Sequence, residues 1–527
     1  MRKVFIAILA VLFIGGISIG GYYMYTTNSN TRVEPTDTID SVYTPPPPPP
    51  PSPNEISFKS EYGDSFQLEL INPTFLNNEQ RNYYGDSAPA KLDILWTHHL
   101  GTGKTYVGKP VLWSGAGWTG QPLMVIENGQ KYLIQGAYDH HLKKINAETG
   151  ELVWQYKFDD VIKGTGSIWI NHNADSLKDR CVILQGSRSG AGLSTKQIPS
   201  FRGVSYFTGE ELWRMNSVRT RCYSRDVDAS ALICNDTAYI GLENGIFTVF
   251  SPDRDCAYFQ DGLFQPEIYK NSDTLFNKTD KKVHGGNLVT EASPSKLGNH
   301  IYIASGSGHI WGYNLDSKEI DWDYFIGSDI DGSPIITDDS CILVTVEKQY
   351  IKGKGGVLKL DPSKAPKDAA IWYFPTGNQV FASWKGGIIG SASINDQYKD
   401  EQTPNMAAFT AIDGFMYVID TKNMVENDSV LAFDGKTYMP TPKLLFKYDT
   451  GESISTPLFV GNRIVAAGYD GIHLFEHNDS LNFRLLDKLP KNFEATPFID
   501  NGRIYVASRD GNLYCFGEAP TPIAQEE

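Results

Sequence analysis

The sequence predicts an all-β chain folded as an eight-bladed β-propeller of four-stranded antiparallel blades, with seven blades as the near alternative. Three observations carry this. One hairpin phrase recurs along the chain, an aromatic phrase follows it at a fixed place, and a small-hydroxyl phrase opens the next copy. No segment of helical period separates the copies, and short strands recurring at roughly 40–60 residues are the mark of radial repetition. A β-sandwich accounts for the strands but not for the order of the phrases.

The hairpin phrase is clearest in "FTAIDGFMYVID", "RIVAAGYDGIHLFE" and "RIYVASRDGNLYCFG". Each is an apolar run, Asp-Gly and a second apolar run, the strongest short-range hairpin signal. The turns fall at Asp413-Gly414, Asp470-Gly471 and Asp510-Gly511, with looser copies at Asn244-Gly245, Ser307-Gly308 and Gly355-Gly356. The aromatic phrase is "TGELVW" at Trp154 and "TGEELW" at Trp213, with weaker copies at Trp322 and Trp372 and with Phe446 in the same place. One large ring per unit points to packing between blades. The opening phrase is a small hydroxyl residue before Pro294, Pro334, Pro457 or Pro497.

Counted by openings, the units begin near Gly108, Gly166, Ala229, Ala292, Gly332, Gly390, Ser455 and Ala495. The last unit lacks its aromatic strand, whereas "LDILWTHHL" around Trp96 has no hairpin of its own. The N-terminal strand is therefore expected to complete the last blade and remove the open sheet edge.

Four segments follow: an anchor or signal segment over 1–29, a polar, Pro-rich linker and lead-in over 30–91, the propeller over 92–518, and a tail over 519–527. Arg2 and Lys3 precede an apolar run from Val4 to Met24, which is long enough to span a bilayer. The absence of an A-x-A-like site favours an uncleaved transmembrane helix over a signal peptide, and the two positive charges orient it with the rest exported. The proline run over 45–51 is expected as an extended spacer, with a polyproline-ligand role open. The ring is thus placed at the inner membrane, in the periplasm or outside the cell. A net charge of -15 over 527 residues argues against nucleic-acid partners.

Aligned openings put Asp228, Glu291, Asp331 and Glu494 at one register, two residues before the hydroxyl. Such a ring of acids could hold a cation or steer a basic segment of a partner; equally, the acids could face solvent and bond backbone amides. Trp113, Trp118 and Trp384 do not repeat and sit beside loop glycines, which makes them binding candidates. Cys222 and Cys256 flank one blade in loop-like sequence and could pair in an exported chain. Cys181, Cys234, Cys341 and Cys515 lie inside apolar runs and read as buried thiols. "GTGKT" over 101–105 reads as a turn, since no helix pattern follows it. The adjacent pairs His98-His99 and His140-His141 point to opposite strand faces and cannot each clamp one metal.

At the "TGELVW" and "TGEELW" phrases, together with the Asp-Gly hairpins and Ser/Thr-Pro openings, the chain resembles the PQQ-like propeller repeat family over roughly 92–518. The resemblance implies one of two roles: a dehydrogenase using pyrroloquinoline quinone and calcium, or a noncatalytic scaffold such as the BamB-like outer-membrane assembly factors. The dehydrogenases carry a "GAE" triplet whose Glu binds calcium; here the matching triplet is "GAG", with Gly192 in the carboxylate position. Their vicinal cysteine pair is also missing, since no two cysteines here are adjacent. Glycine offers calcium no side-chain oxygen. The resemblance therefore implies a membrane-anchored scaffold for envelope proteins in a bacterium, with no cofactor expected. A PQQ- and calcium-dependent oxidoreductase of alcohols or sugars and a carbohydrate-binding module are the alternatives. One departure stands out: BamB-like factors are usually lipid-anchored, and no Cys follows the apolar segment here.

Overall fold

The computed structural model describes residues 55–59, 63–188, 197–270 and 272–520. The expected anchor, the proline run and Gly192 lie outside the described residues. Among the described residues no helix is long and apolar enough to cross a membrane.

Eight antiparallel sheets follow one another along the chain. Numbered in order, blade 1 spans 123–157, blade 2 167–215, blade 3 232–274, blade 4 295–325, blade 5 335–375, blade 6 393–449 and blade 7 458–489. Blade 8 takes three strands from 498–517 and its fourth from Asp93–His99, which pairs with Asn512–Gly517 and sets Trp96 opposite Cys515. The chain ends thus close the ring as the sequence predicts.

The three phrases have separate physical jobs. Each opening hydroxyl accepts a hydrogen bond from the backbone N–H of its counterpart in the preceding blade: Ser230 to Ser293, Ser293 to Ser333, Ser333 to Ser391 and Ser391 to Thr456, all at 2.9 Å. Thr456 continues the belt to Thr496 at 3.5 Å. These N–H groups point at the axis, where no strand can pair them, so a short hydroxyl is the residue that satisfies them. The aromatic phrase joins blades at the rim. The indole N–H of Trp96, Trp154, Trp213, Trp322 and Trp372 donates to Ala147, Tyr206, Pro252, Lys364 and Thr421, each a carbonyl of the next blade. Gly150 and Gly209 come before Trp154 and Trp213 because a Cβ there would strike the ring of Trp96 or Trp154. At the Asp-Gly turns, Gly414 and Gly511 adopt φ of 87° and 97°, a region that disfavours other residues.

Four expectations are corrected. Blade 1 does not open at Gly108: residues 102–107 and 109–114 form a separate two-stranded hairpin, and the inner strand is Leu123–Glu127 behind Gln121-Pro122. Gln121 hid the opening by replacing the hydroxyl: its amide donates to the Pro497 carbonyl at 2.8 Å, while the Thr119 carbonyl accepts the Thr496 N–H that a hydroxyl would otherwise meet. "GTGKT" accordingly lies mostly on a strand, Thr102–Val107. Gly355-Gly356 is not a tight turn, because Ile342–Val346 and Gly356–Leu360 are joined by a longer loop. Cys222 and Cys256 are both free thiols: Cys222 packs against Gly245 and donates to the Leu288 carbonyl at 3.2 Å, whereas Cys256 is exposed in a short 3-10 turn.

The polar lead-in includes an ordered part from Glu55 onward. Glu55–Lys59 and Ser65–Asn72 add two strands to blade 1, and residues 73–88 then cross one end of the channel. We call this end lower; it carries the turns between first and second strands. Ile168, Lys296 and Ile336 of blades 2, 4 and 5 donate backbone N–H groups to Pro73, Glu79 and Gln80. Arg81 is fully buried and donates to the carbonyls of Pro294 and Phe75 and to the Thr74 hydroxyl. The Tyr84 backbone N–H donates to the Tyr398 hydroxyl of blade 6 at 2.7 Å. Gly85 follows because a Cβ there would lie 2.1 Å from the Ile499 carbonyl oxygen of blade 8.

Candidate functional site

The upper end carries the hairpin tips between second and third strands, and two residues per blade face its mouth. The first precedes the opening phrase, where Asp228, Glu291, Asp331 and Glu494 were predicted. The second opens the hairpin tip: Tyr138, Arg188, Glu243, Glu347, Ile412, Tyr469 and Arg509 occupy it in blades 1, 2, 3, 5, 6, 7 and 8, with Gly306 in blade 4. The sequence reading missed this second register, although aligning the tips as the openings were aligned brings it out.

Blades 3 to 5 make the mouth acidic. Asp228, Glu243 and Glu291 place carboxylate oxygens within 4.8 Å of one another, and Asp329, Asp331 and Glu347 form a second such group. Of the predicted acids, Asp228 is 1% exposed and does not face solvent, whereas Glu291 and Asp331 are half-buried. Lys163 forms an ion pair with Asp228. Burial alone would lower its affinity for a proton, but Asp228, Glu291 and Glu243 hold it well above the usual lysine range. Arg188 pairs with Asp226 at 2.7 Å.

Burial and like charges keep these acids from ionising easily. Burial, reinforced by Asp228 and Asp329 and opposed by Lys163, pushes Glu291 up to about 8. Burial, with Asp329 and Glu291 adding, takes Glu347 up to about 9. Burial raises Asp329 to about 6 despite bonds from Asn287 and Gln349. Asp228, Glu243 and Asp331 move the same way, each chiefly through burial.

Blades 6 to 8 and 1 make the other side aromatic, and here the three predicted tryptophans converge with Glu494. Trp118 is 7% exposed and packs with Ile389, Ile412 and Ile454, against which Phe381, Trp384 and Tyr469 lean. Phe381 stacks on Trp384 at 6.5 Å and meets Tyr469 at 4.7 Å. Tyr469 donates to Glu494 at 3.1 Å, and Arg509 pairs with Glu494 at 2.7 Å. Arg509 also lies over Tyr138, and Arg188 lies 5.3 Å from the Trp113 ring centre. Glu494 is thus separated from the other three predicted acids and held by a cation and a phenol.

No family model and no curated protein matches the sequence. Solved structures do. BamB from Moraxella catarrhalis is 13% identical, with a TM-score of 0.50, over 81% of this chain and 100% of that one. The quinohemoprotein alcohol dehydrogenase from Comamonas testosteroni is 14% identical, with a TM-score of 0.52, over 86% of this chain and 82% of that one. At these identities the likeness establishes the fold, and it spans both branches of the resemblance drawn from the repeat phrases.

Proposed function

We propose that this PQQ-like eight-bladed propeller is a noncatalytic binding protein, a scaffold that takes a basic, aromatic-bearing segment of a partner protein at its upper mouth. One observation carries the reading: the lower end is filled by residues 73–88, while the upper end sets buried carboxylates beside half-buried aromatic rings. A lysine or arginine entering there would relieve like-charge crowding, and its apolar neighbours would meet Phe381, Trp384 and Tyr469. The apolar N-terminal segment and the proline run support placing the ring in the bacterial envelope, held at the inner membrane with its partners among envelope proteins.

Pyrroloquinoline quinone fits this mouth poorly. It carries three carboxylates, and the acids of blades 3 to 5 already outnumber the cations facing them, while Arg188 and Arg509 are engaged by Asp226 and Glu494. The glycan reading loses its platform, because Trp118 is buried and Trp384 stacks on Phe381.

Photocrosslinking the full chain in its own cells tests the proposal. Tyr223 is 64% exposed and lies near the upper acids Glu291, Glu243, Asp329 and Asp331. Asn299 lies in a lower turn. A photoreactive residue at Tyr223 should give a protein adduct that weakens in high salt, and one at Asn299 should not. Adducts from Asn299 alone would overturn the reading.

A further inference from the structure

The two carboxylate groups at the upper mouth differ in one respect: Asp228 has Lys163 as a resident counter-charge, and the group between blades 4 and 5 has none among the described residues. Lys348, beside Glu347 in sequence, points its ammonium away, to the carbonyls of Ile351 at 2.7 Å and Lys352 at 3.3 Å. Lys385 is exposed and acts on Glu347 only through space.

We propose that Asp329, Asp331 and Glu347 form a binding site for one hard divalent cation.

Geometry supports this first. Two oxygens on one calcium, each at 2.3–2.6 Å, lie at most about 4.6–5.2 Å apart, against about 4.0–4.2 Å for magnesium. The three side chains offer oxygens within 4.8 Å of one another, inside the span that one calcium ion can bridge. The donor set is all carboxylate, the chemistry of calcium, magnesium and manganese rather than of zinc or copper.

Unmet valence supports it independently. Glu347 is 2% exposed, and its carboxylate makes no hydrogen bond among the described residues. Asp329 Oδ1 is buried without a partner, while its Oδ2 accepts from Asn287 at 2.5 Å and from Gln349 at 3.2 Å. Those two amides fix the carboxylate in place, as groups behind a metal ligand do, and leave the other oxygen free for an ion. An unpaired buried carboxylate costs several kcal/mol, on the order of its desolvation, and a divalent cation would offset that cost. The site does not rest on the docking proposal.

The test uses the full chain stripped with EDTA, titrated with calcium and then magnesium, followed by calorimetry and thermal melting. One calcium should bind per chain and raise the melting temperature by about 3 °C at a hundredfold excess over Kd. D329N and E347Q should abolish the shift, and D228N, whose partner is Lys163, should keep it. Metal-free E347Q should melt no lower than metal-free wild type, because an amide of the same shape replaces a buried side chain whose carboxyl makes no hydrogen bond among the described residues. Three results would overturn the proposal: no heat or shift with either ion up to about 10 mM, the range of weak extracellular sites; a shift that survives in E347Q but not in D228N; or a metal-free E347Q that melts below wild type.

Discussion

The two ends of the channel are lined by the same repeats yet are finished in opposite ways. At the lower end, residues 73–88 bring donors and acceptors to the axis, and the buried guanidinium of Arg81 is met by carbonyls of its own segment and of blade 4. At the upper end, carboxylates from three blades are buried with Lys163 and Arg188 among them, and Glu347 meets no donor among the described residues. The contrast separates two uses of buried polarity. A network completed within the chain fixes structure, whereas one left short of counter-charge awaits something from outside.

The largest effect should come from breaking the completed end. Arg81→Ala leaves the Pro294 and Phe75 carbonyls without their donor and opens a cavity in the crossing segment. A loss of about 3–5 kcal/mol is expected, read from the urea midpoint of the full chain. A loss below about 1 kcal/mol would mean that the lower end does not hold the ring together. Burial alone lowers the Arg81 pKa to about 9, so the cation persists at neutral pH.

The upper end should reveal itself through pH. Its acids have folded-state pKa values above their unfolded ones, about 8 for Glu291 and about 9 for Glu347. Between the ordinary glutamate value of about 4.3 and that range, the native state holds protons that the unfolded chain has released. Stability of the metal-free chain should therefore fall as pH rises from 5.5 to 8.5, by up to about 1.4 kcal/mol per unit for each such group, and level off above. The double variant E291Q/E347Q should flatten that slope, which urea melts at the two pH values would show. An unchanged slope would place the titration elsewhere.

Much of this was legible in the sequence, and the misses share a cause. The blade count, the closing strand at Trp96 and the inter-blade role of the tryptophans follow from repeated phrases, because each phrase answers a need that recurs once per blade. Blade 1 was misplaced because Gln121 stands where other openings carry a hydroxyl, and a backbone carbonyl, that of Thr119, accepts the Thr496 N–H instead. Glu243 precedes Asn244-Gly245 as Ile412 precedes Asp413-Gly414 and was missed because the tips were not aligned, whereas Glu347 opens a longer loop between Val346 and Gly356 and sits at no fixed distance from a phrase. Their clustering with Asp228 and Asp331 depends on strands far apart in the chain facing one axis. The crossing segment over 73–88 carries no repeat at all; Arg81 and Gly85 make sense only against carbonyls of blades 4 and 8.

The smallest predicted effect asks whether the belt between the two ends belongs to the lower or the upper kind. Ser333 Oγ accepts the Ser293 N–H at 2.9 Å, and Ser333 N–H donates to Ser391 Oγ at the same distance. Ser333→Ala keeps the second bond and strands the first donor in a buried position, for an expected cost of about 1–3 kcal/mol. If the belt is a completed network, the cost should appear equally at pH 5.5 and pH 8.5, since no ionisable group takes part. A cost that grows with pH would instead couple the belt to Asp331, two residues away. The acidic mouth would then extend inward to the ring's main structural seam.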